Sequence, residues 1–315
     1  MHYRRLGRTK LQVSELSYGA ARGATQDPQR FVETVHACLE AGINFVDTAG
    51  GYDDGNSERM LGEALRGHDD VICETKYCPY ENYLPEAQFN GTPEALIASA
   101  EESLRRLRRD RLDIFLGHGM RSVATLDRFL EGGCYEAMRK LRQQGKVRFI
   151  GISELSEGDG THAVLQRAVP SGAFDVVMLT VNFLLQTAVD AVLPLCREHN
   201  VGAVVMMPLN QACRESGLVS VTAAQECVRR HIAAGNLPDA SPYTDATLFD
   251  FLRPYSIPEG AIRFVLAQEV STCCVGMRSA ERLQANLRAL SPPYLDATRL
   301  ERLRRLFGGI RAQVR

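Results

Sequence analysis

The sequence lacks an excess of charge of either sign, and it lacks a long apolar run. Its 315 residues contain 37 Lys and Arg against 38 Asp and Glu, which leaves a net charge of −1 at pH 7. This balance gives no electrostatic reason to expect nucleic acid or an anionic membrane as a partner. No apolar run approaches the roughly 20 residues that cross a bilayer. The arginines near the N-terminus are not followed by the hydrophobic stretch of a secretory signal.

The nine cysteines lack the spacing of a metal site. None belongs to a Cys-x-x-Cys pair, and no two lie at zinc-finger spacing with histidines. The count is odd, and several cysteines, such as Cys73 and Cys274, lie inside apolar runs. We interpret them as buried, reduced thiols and expect a cytoplasmic protein.

Short apolar runs alternate with longer segments of helical period, among them a single helix expected at residues 188–199, and no linker divides the chain. Eight runs are rich in Val, Ile, Leu and Phe, which is typical of strands covered on both faces of a parallel sheet. They are residues 16–19, 44–46, 71–75, 112–116, 147–152, 174–179, 201–206 and 272–275. This pattern predicts an α/β fold, a (β/α)₈ TIM barrel, with residues 1–315 forming one domain. A doubly wound open sheet is the alternative, although its usual Gly-x-Gly-x-x-Gly turn is absent after the first run.

Other segments lie outside this repeat. Residues 3–6 and 11–13 flank a Gly-Arg-Thr-Lys turn and predict a hairpin that plugs the bottom of the barrel. Residues 208–256 form a long connection with one helical piece near 221–234, and 297–313 predict a terminal amphipathic helix. We expect this connection and a loop at 119–133 to cover the barrel mouth.

Four ionisable residues follow predicted strands, at the barrel end that carries the chemistry. They are Asp47, Tyr52, Lys76 and His118. Tyrosine is a poor acid near neutrality, with a pKa of about 10, and the ammonium of Lys76 would lower that pKa. Asp47 would be the partner that a lysine needs in a dry site. His118 would orient a carbonyl oxygen or share the proton, which makes a proton-donating pocket for a developing alkoxide.

Each of these residues also has an interpretation without chemistry. Asp47 is a plausible cap of the turn after its strand, Tyr52 a half-buried aromatic side chain, and His118 a loop histidine. Their joint placement at the ends of neighbouring strands favours the catalytic interpretation.

In their local sequence, these residues resemble the aldo-keto reductase family. The resemblance lies in GINFVDTA at 42–49, Tyr52, SERMLGEAL at 57–65, Thr75-Lys76, ESLRRL at 102–107, LDIF at 112–115 with His118, and GKVRFIGIS at 145–153, and it continues in Pro208-Leu209 and VGMRS at 275–279 with Asn286. It implies a catalytic tetrad of Asp47, Tyr52, Lys76 and His118, with Tyr52 as general acid. It also implies a nicotinamide cofactor that lies extended across the barrel mouth.

The resemblance further implies a set of cofactor-binding residues. These are Ser153, Glu154, Met178, Met206, Pro208, Leu209, Gly276, Arg278, Ser279, Arg282 and Asn286. Ser279 suits a helix N-cap, whose backbone N–H groups would face an anion. Arg278 and Arg282 would add guanidinium groups for a 2′-phosphate, which favours NADP(H) over NAD(H). We therefore expect an NADPH-dependent reductase of an aldehyde or ketone.

The sequence departs from the family pattern at Val181, where an aromatic residue is often found, and at three further positions. Glu154 stands where the family usually has Asn, Met178 where it has Gln, and Met206 where a Tyr often stacks on the nicotinamide. These changes motivate an alternative, an NADP(H)-binding barrel with a regulatory or non-reductive role. A metal-dependent hydrolase or isomerase using Asp47, His118 and Glu154 is a further alternative, but one histidine and two acids form a poor metal-ligand set, and we expect no metal.

The loop after the third strand concentrates aromatic residues, namely Tyr77, Tyr80, Tyr83 and Phe89. Aromatic loops at a barrel mouth suit a hydrophobic or sugar-like carbonyl substrate, or else these rings only pack on each other.

Overall fold

In the part of the chain that the structure describes, ten strands build a hairpin and a closed barrel. The computed structural model describes residues 1–81, 87–155, 160–209 and 217–311. The strands are β1 (Tyr3–Arg5), β2 (Gln12–Ser14), β3 (Leu16–Gly19), β4 (Phe45–Asp47), β5 (Ile72–Tyr77), β6 (Leu112–Met120), β7 (Val147–Glu154), β8 (Val176–Thr180), β9 (Gly202–Met206) and β10 (Thr272–Gly276). Strands β3 to β10 are parallel and pair in chain order, and β10 closes the barrel against β3. The predicted (β/α)₈ fold is confirmed, and the open-sheet alternative is wrong.

Helices cover the outside of the barrel. They are α1 (Pro28–Glu40), α2 (Asn56–Ala64), α3 (Pro93–Leu107), α4 (Val123–Glu131), α5 (Cys134–Gln143), α6 (Ala163–Ala168), α7 (Thr187–Ala191), α8 (Leu193–Glu198), α9 (Val221–Ala233), α10 (Ile257–Leu266), α11 (Ala280–Leu287) and α12 (Ala297–Phe307). Short 3₁₀ segments lie at Gly7–Thr9, Tyr52–Gly55, Val169–Ser171 and Asp250–Leu252. Several helices begin at a side-chain cap followed by proline, as α3 does at Thr92 and Pro93.

Two helical segments differ from the sequence prediction. Residues 119–133 were expected to form a loop but contain α4, which begins at a capping box of Ser122 and Thr125. Residues 188–199 hold two short helices rather than one. The break falls at Val192, two residues before Pro194, which is tolerated in the first turn of α8 but not in a helix interior.

The hairpin closes one end of the barrel, as predicted. Leu6 and Val13 are fully buried and pack into an apolar cluster with interior residues such as Phe45. Gly7 has a φ of +48°, and a Cβ atom there would lie 2.3 Å from the amide nitrogen of Gly202. Only glycine allows this close passage below β9. The opposite end of the barrel, where the parallel strands finish, is the open mouth.

The eight cysteines within the described residues are all free thiols, and only Cys78 is not buried. Cys213 lies outside those residues. Burial raises the pKa of Cys73 to about 12, which keeps this thiol protonated and unreactive. Among the helices of the described residues, none has the length and apolar character needed to cross a membrane.

Candidate active site

Three neighbouring strands bring the four predicted catalytic residues to the barrel mouth. Asp47 ends β4, Lys76 lies near the end of β5, and His118 lies near the end of β6. Tyr52 begins the 3₁₀ segment that follows β4. In a parallel barrel the carboxyl ends of adjacent strands lie side by side, so residues far apart in sequence converge here.

Lys76 is the centre of this group. Its Nζ forms an ion pair with Asp47 Oδ1 and donates hydrogen bonds to the carbonyl oxygen of Thr48 at 2.7 Å and to Tyr52 Oη at 3.3 Å. An ammonium has three N–H donors, and these three partners use all of them. The side chains of Lys76 and Asp47 are only 0% and 6% exposed, so the ion pair is shielded from water.

The phenol of Tyr52 stays protonated at neutral pH. Burial raises its pKa most; Lys76 lowers it and Asp47 raises it, and the net pKa is about 12. The sequence correctly predicts that Lys76 lowers the pKa of Tyr52, but it misses the larger effect of burial. Tyr52 therefore carries its proton at neutral pH and is not a preformed phenolate.

His118 lies against Tyr52 as a neutral imidazole. The two rings are 5.9 Å apart, centre to centre, in an edge-on arrangement with planes at 80°. Burial, and then the ammonium of Lys76, lower the pKa of His118 well below its usual range. A neutral imidazole has one N–H donor, which suits a second hydrogen bond to a carbonyl oxygen.

The loop that carries Tyr52 is held from outside by Arg106, a contact that the sequence does not reveal. Arg106 Nη1 donates to the carbonyl oxygen of Gly50 at 3.4 Å and to Glu58 Oε2 at 3.3 Å. Glu58 is fully buried and also accepts a 2.7 Å hydrogen bond from Thr75 Oγ1. In the sequence, nothing distinguishes Arg106 from the other cations at the C-terminal end of α3. Its position under the loop depends on the packing of α3 against α2.

Several of the predicted nicotinamide-binding residues lie around the mouth. Ser153 and Met178 pair across β7 and β8, and Ser153 Oγ accepts a 2.7 Å hydrogen bond from the amide of Gly119, next to His118. Met178 is buried in the interior cluster, and Met206 packs on the same cluster. Pro208 and Leu209 are buried just beyond β9.

Glu154 is turned away from this group. It is adjacent to Ser153 on β7, and successive strand residues face opposite sides of a sheet. Its carboxylate contacts His162 Nδ1, and His162 Nε2 lies 2.8 Å from Thr187 Oγ1, so Glu154 faces the helical layer. The structure therefore does not bring Glu154 together with Asp47 and His118, as the metal-dependent alternative requires.

A second group of predicted cofactor residues lines a cavity of about 270 Å³ between α1 and the loop after β10. Arg278, Ser279 and Arg282 form one wall, and Arg22 and Arg30, which the sequence analysis did not identify, form another. Ser279 Oγ caps α11 by accepting a hydrogen bond from the amide of Arg282 at 3.3 Å. The chemistry of this wall fits a phosphate.

The last two residues of the predicted cofactor set do not line this cavity but lie on β10 and α11, on either side of the segment that does. Gly276 is exposed at the end of β10, and Asn286 is buried on α11. Five residues of the predicted set, which are Gly276, Asn286, Arg278, Ser279 and Arg282, therefore lie on β10, on α11 or on the segment between them.

Two of the aromatic residues in the segment after β5, Tyr80 and Phe89, pack on each other. The rings of Tyr80 and Phe89 are 5.8 Å apart in an edge-on arrangement. The guanidinium of Arg121 lies 3.9 Å from the centre of the Tyr80 ring, and Tyr77 Oη accepts a hydrogen bond from the amide of Thr92 at 3.3 Å. Tyr83 lies outside the described residues.

The chain is similar to known proteins over most of its length. A family model, the aldo/keto reductase family, matches residues 15–306. L-galactose dehydrogenase of Arabidopsis thaliana is 32% identical over 299 residues, which cover 91% of this chain and 88% of that protein. An NADH-specific methylglyoxal reductase of Escherichia coli is 26% identical over 320 residues, covering 93% and 94% of the two chains. The holo form of an aldo-keto reductase from Bacillus halodurans superposes with a TM-score of 0.73 at 25% identity, covering 98% and 96%.

Proposed function

Since the chain belongs to the aldo-keto reductase family, we propose that it is an NADPH-dependent enzyme that reduces an aldehyde or a ketone to an alcohol. The family and the oxidoreductase relatives support a carbonyl-reducing oxidoreductase. The observation that carries the proposal is the 3.3 Å hydrogen bond from Lys76 Nζ to Tyr52 Oη at the barrel mouth.

In this proposal Tyr52 is the general acid. Its oxygen accepts a hydrogen bond from Lys76, which leaves its own O–H proton to be donated to the carbonyl oxygen of the substrate. The N–H of neutral His118 binds the same oxygen. As the oxygen becomes an alkoxide it takes the proton of Tyr52, and the ammonium of Lys76 stabilises the phenolate that remains. Asp47 keeps Lys76 charged, because its carboxylate stabilises an ammonium that burial would otherwise neutralise.

The residues at the two ends of the mouth fit a nicotinamide dinucleotide. Ser153, Met178, Met206, Pro208 and Leu209 would hold the nicotinamide half. The adenosine half would bind the second set, which consists of Gly276, Arg278, Ser279, Arg282 and Asn286. When bound, this cofactor supplies the hydride for carbonyl reduction.

Preference for NADP(H) rests on charge. The cavity at Ser279 is lined by four arginines, Arg22, Arg30, Arg278 and Arg282, against one acid, Asp27. A 2′-phosphate, which NAD(H) lacks, offers the doubly charged group that guanidinium groups bind best. One relative is named as NADH-specific, so the arginines of this chain, and not family membership, support the choice.

A cofactor-binding barrel with a regulatory or non-reductive role is the second candidate. Met178 and Met206 at the mouth, together with a Glu154 engaged by His162, favour it. Tight NADPH binding without turnover of any carbonyl would support this role. The free thiols of the described residues fit a reducing compartment, and a cytoplasmic location stays a prediction.

The test is NADPH oxidation, followed by absorbance, with a panel of sugar aldehydes, small dicarbonyls and hydrophobic aldehydes. We expect turnover with at least one of them. Tyr52→Phe should abolish turnover and leave the Kd for NADPH nearly unchanged. Tyr135→Phe is the matched control, because Tyr135 packs on Phe174 away from the mouth. A Tyr52→Phe variant with the full rate would exclude Tyr52 as the acid.

A further inference from the structure

Glu74 has a buried carboxyl group inside the barrel. The proposed reaction does not use this group. It is fully buried and lies on β5, two residues before Lys76, so both side chains face the barrel interior. Glu74 lies beside Asp47 across β4 and β5, and beside the apolar Ile114 across β5 and β6. Glu74 and Asp47 are therefore direct neighbours in the layer below the Lys76 ammonium.

Neither carboxylate oxygen of Glu74 has a hydrogen-bond donor among the residues that the structure describes. The nearest cation, Lys76, directs its three N–H groups to Asp47, Thr48 and Tyr52. Its direct neighbour on β4 is the carboxyl of Asp47, which after burial is the largest cause that raises the pKa of Glu74. Two ionised carboxylates offer only acceptors, so a hydrogen bond between them requires a proton on one of the two.

The charges in this interior lead to the same conclusion. Lys76 carries one positive charge and Asp47 balances it, so an ionised Glu74 would leave a net negative charge in a dry interior. Among the described residues, the thiol of Cys274 on β10 is a further titratable group close to Glu74, and burial keeps this thiol neutral. Burial, and then the carboxylate of Asp47, raise the pKa of Glu74 well above its usual range.

We propose that Glu74 keeps its proton at neutral pH, donates it in a hydrogen bond to Asp47, and thereby acts as a positioning residue for Lys76 and Tyr52. With Glu74 as donor, the carboxylate of Asp47 attracts Lys76 less strongly, and an N–H of Lys76 stays directed at Tyr52. Without this donor, Asp47 draws the ammonium toward itself and away from the phenol. This catalytic consequence rests on the proposed function, whereas the protonation of Glu74 does not.

The proton is tested first, by infrared spectroscopy of the full chain at pH 7. We expect a carbonyl band of a protonated carboxylic acid that disappears in Glu74→Gln. Glu58→Gln is the matched control, because it removes a buried carboxyl that has its own donors, Thr75 and Arg106, and it should leave the band in place. A spectrum in which Glu74→Gln removes no such band would overturn the proposal, whatever the protein catalyses.

The positioning role is tested by two substitutions of similar size. Glu74→Gln keeps an N–H donor toward Asp47, so its kcat should stay within about threefold of wild type. Glu74→Leu has no donor, and its kcat should fall about tenfold or more with little change in KM, as expected for the loss of a hydrogen bond to a charged group. Thermal unfolding establishes that both variants are folded.

The pH profile of kcat distinguishes a positioning role of Glu74 from a role in which its side chain only fills space. The kcat profile of the wild-type protein should show an alkaline step from ionisation of Glu74, and Glu74→Gln should lack that step. Equal losses of kcat in Glu74→Gln and Glu74→Leu, with an unchanged pH profile, would mean that Glu74 only fills space. Absence of turnover in the wild-type protein would count against the proposed function, and the infrared result would still decide the protonation of Glu74.

Discussion

The ammonium of Lys76 reaches the phenol oxygen of Tyr52 over 3.3 Å, although 24 positions separate the two residues in the chain. This contact exists because β4 and β5 are parallel neighbours, so their C-terminal ends lie side by side at the same end of the barrel. It depends on a third residue, Asp47, whose carboxylate shares the buried ammonium. The surroundings of the proposed acid are thus set by the pairing of neighbouring strands rather than by any local motif.

The buried ion pair leads to a prediction about stability and rate. Lys76→Met keeps the length of the side chain but leaves the Asp47 carboxylate buried without its cation, which should lower the free energy of unfolding by about 3–5 kcal/mol. Loss of the group that stabilises the phenolate should lower kcat by about 10²–10⁴-fold. Denaturant unfolding and NADPH oxidation measure the two effects.

The double variant Asp47→Asn/Lys76→Met is the control. It removes both charges, so most of the lost stability should return while the rate stays low. Stability losses that simply add in the double variant would show that the two side chains are not coupled.

The strands are the part of the fold that the sequence predicts best. A strand covered on both faces must be apolar at nearly every position, so runs such as 174–179 have few alternative interpretations. Helix α4 is missed although its nine residues are amphipathic and begin at the cap of Ser122, because the glycines on both sides give the segment the composition of a loop. The sequence pattern favours one helix at 188–199, but Pro194 does not fit a helix interior. The structure therefore has two short helices there.

The convergence of the four candidate catalytic residues is predictable because strand ends converge in a barrel, but their neighbours are not predictable. Arg30 reaches the cavity at Ser279 only because α1 packs beside α11, and Arg22 reaches it from the segment between β3 and α1. The position of Glu154 did have a signal, since it follows Ser153 directly and adjacent strand residues face opposite sides. The net pKa of Tyr52 depends on burial, which the local sequence does not give.

The Tyr52 loop supplies a second prediction. Gly55 has a φ of +77°, and a Cβ atom there would lie 2.7 Å from Cζ of Arg106. Gly55→Ala should therefore displace Arg106 from Gly50 and Glu58, lower the free energy of unfolding by about 1–3 kcal/mol, and reduce kcat by loosening the loop. Urea unfolding and steady-state kinetics provide the measurements.

Gly67 offers a matched control for backbone strain. Its φ is +78°, and a Cβ atom there would contact nothing within 4 Å. Gly67→Ala should cost about 1 kcal/mol of strain and leave kcat unchanged. If both alanine variants had the same kcat as wild type, the contact of Arg106 with the loop would not matter for catalysis.

The buried His231 on α9 should make the stability of the fold sensitive to acid, independently of the active site. Its side chain is buried, and burial lowers its pKa to about 4. Below the usual histidine pKa of about 6.5 the unfolded chain binds a proton that the folded chain does not. Stability should therefore be level above that pH and fall as the pH drops toward 4, by at most about 3 kcal/mol from this residue. His231→Gln should remove this part of the acid loss in denaturant unfolding, whereas substitution of the exposed His2 should not.

The arginine cavity predicts how the protein distinguishes the two nicotinamide cofactors. Each guanidinium bond to a 2′-phosphate contributes about 1.5–3 kcal/mol, so Arg282→Ala should raise the KM for NADPH about tenfold or more and leave the KM for NADH nearly unchanged. Because Arg278 and Arg282 are exposed, added salt should weaken NADPH binding more than NADH binding.

Arg288→Ala, just beyond the end of α11 and away from the cavity, is the control and should change neither KM. An equal rise of both KM values in Arg282→Ala would mean that this arginine binds a part common to the two cofactors. The arginines of the cavity would then give no reason to prefer NADP(H).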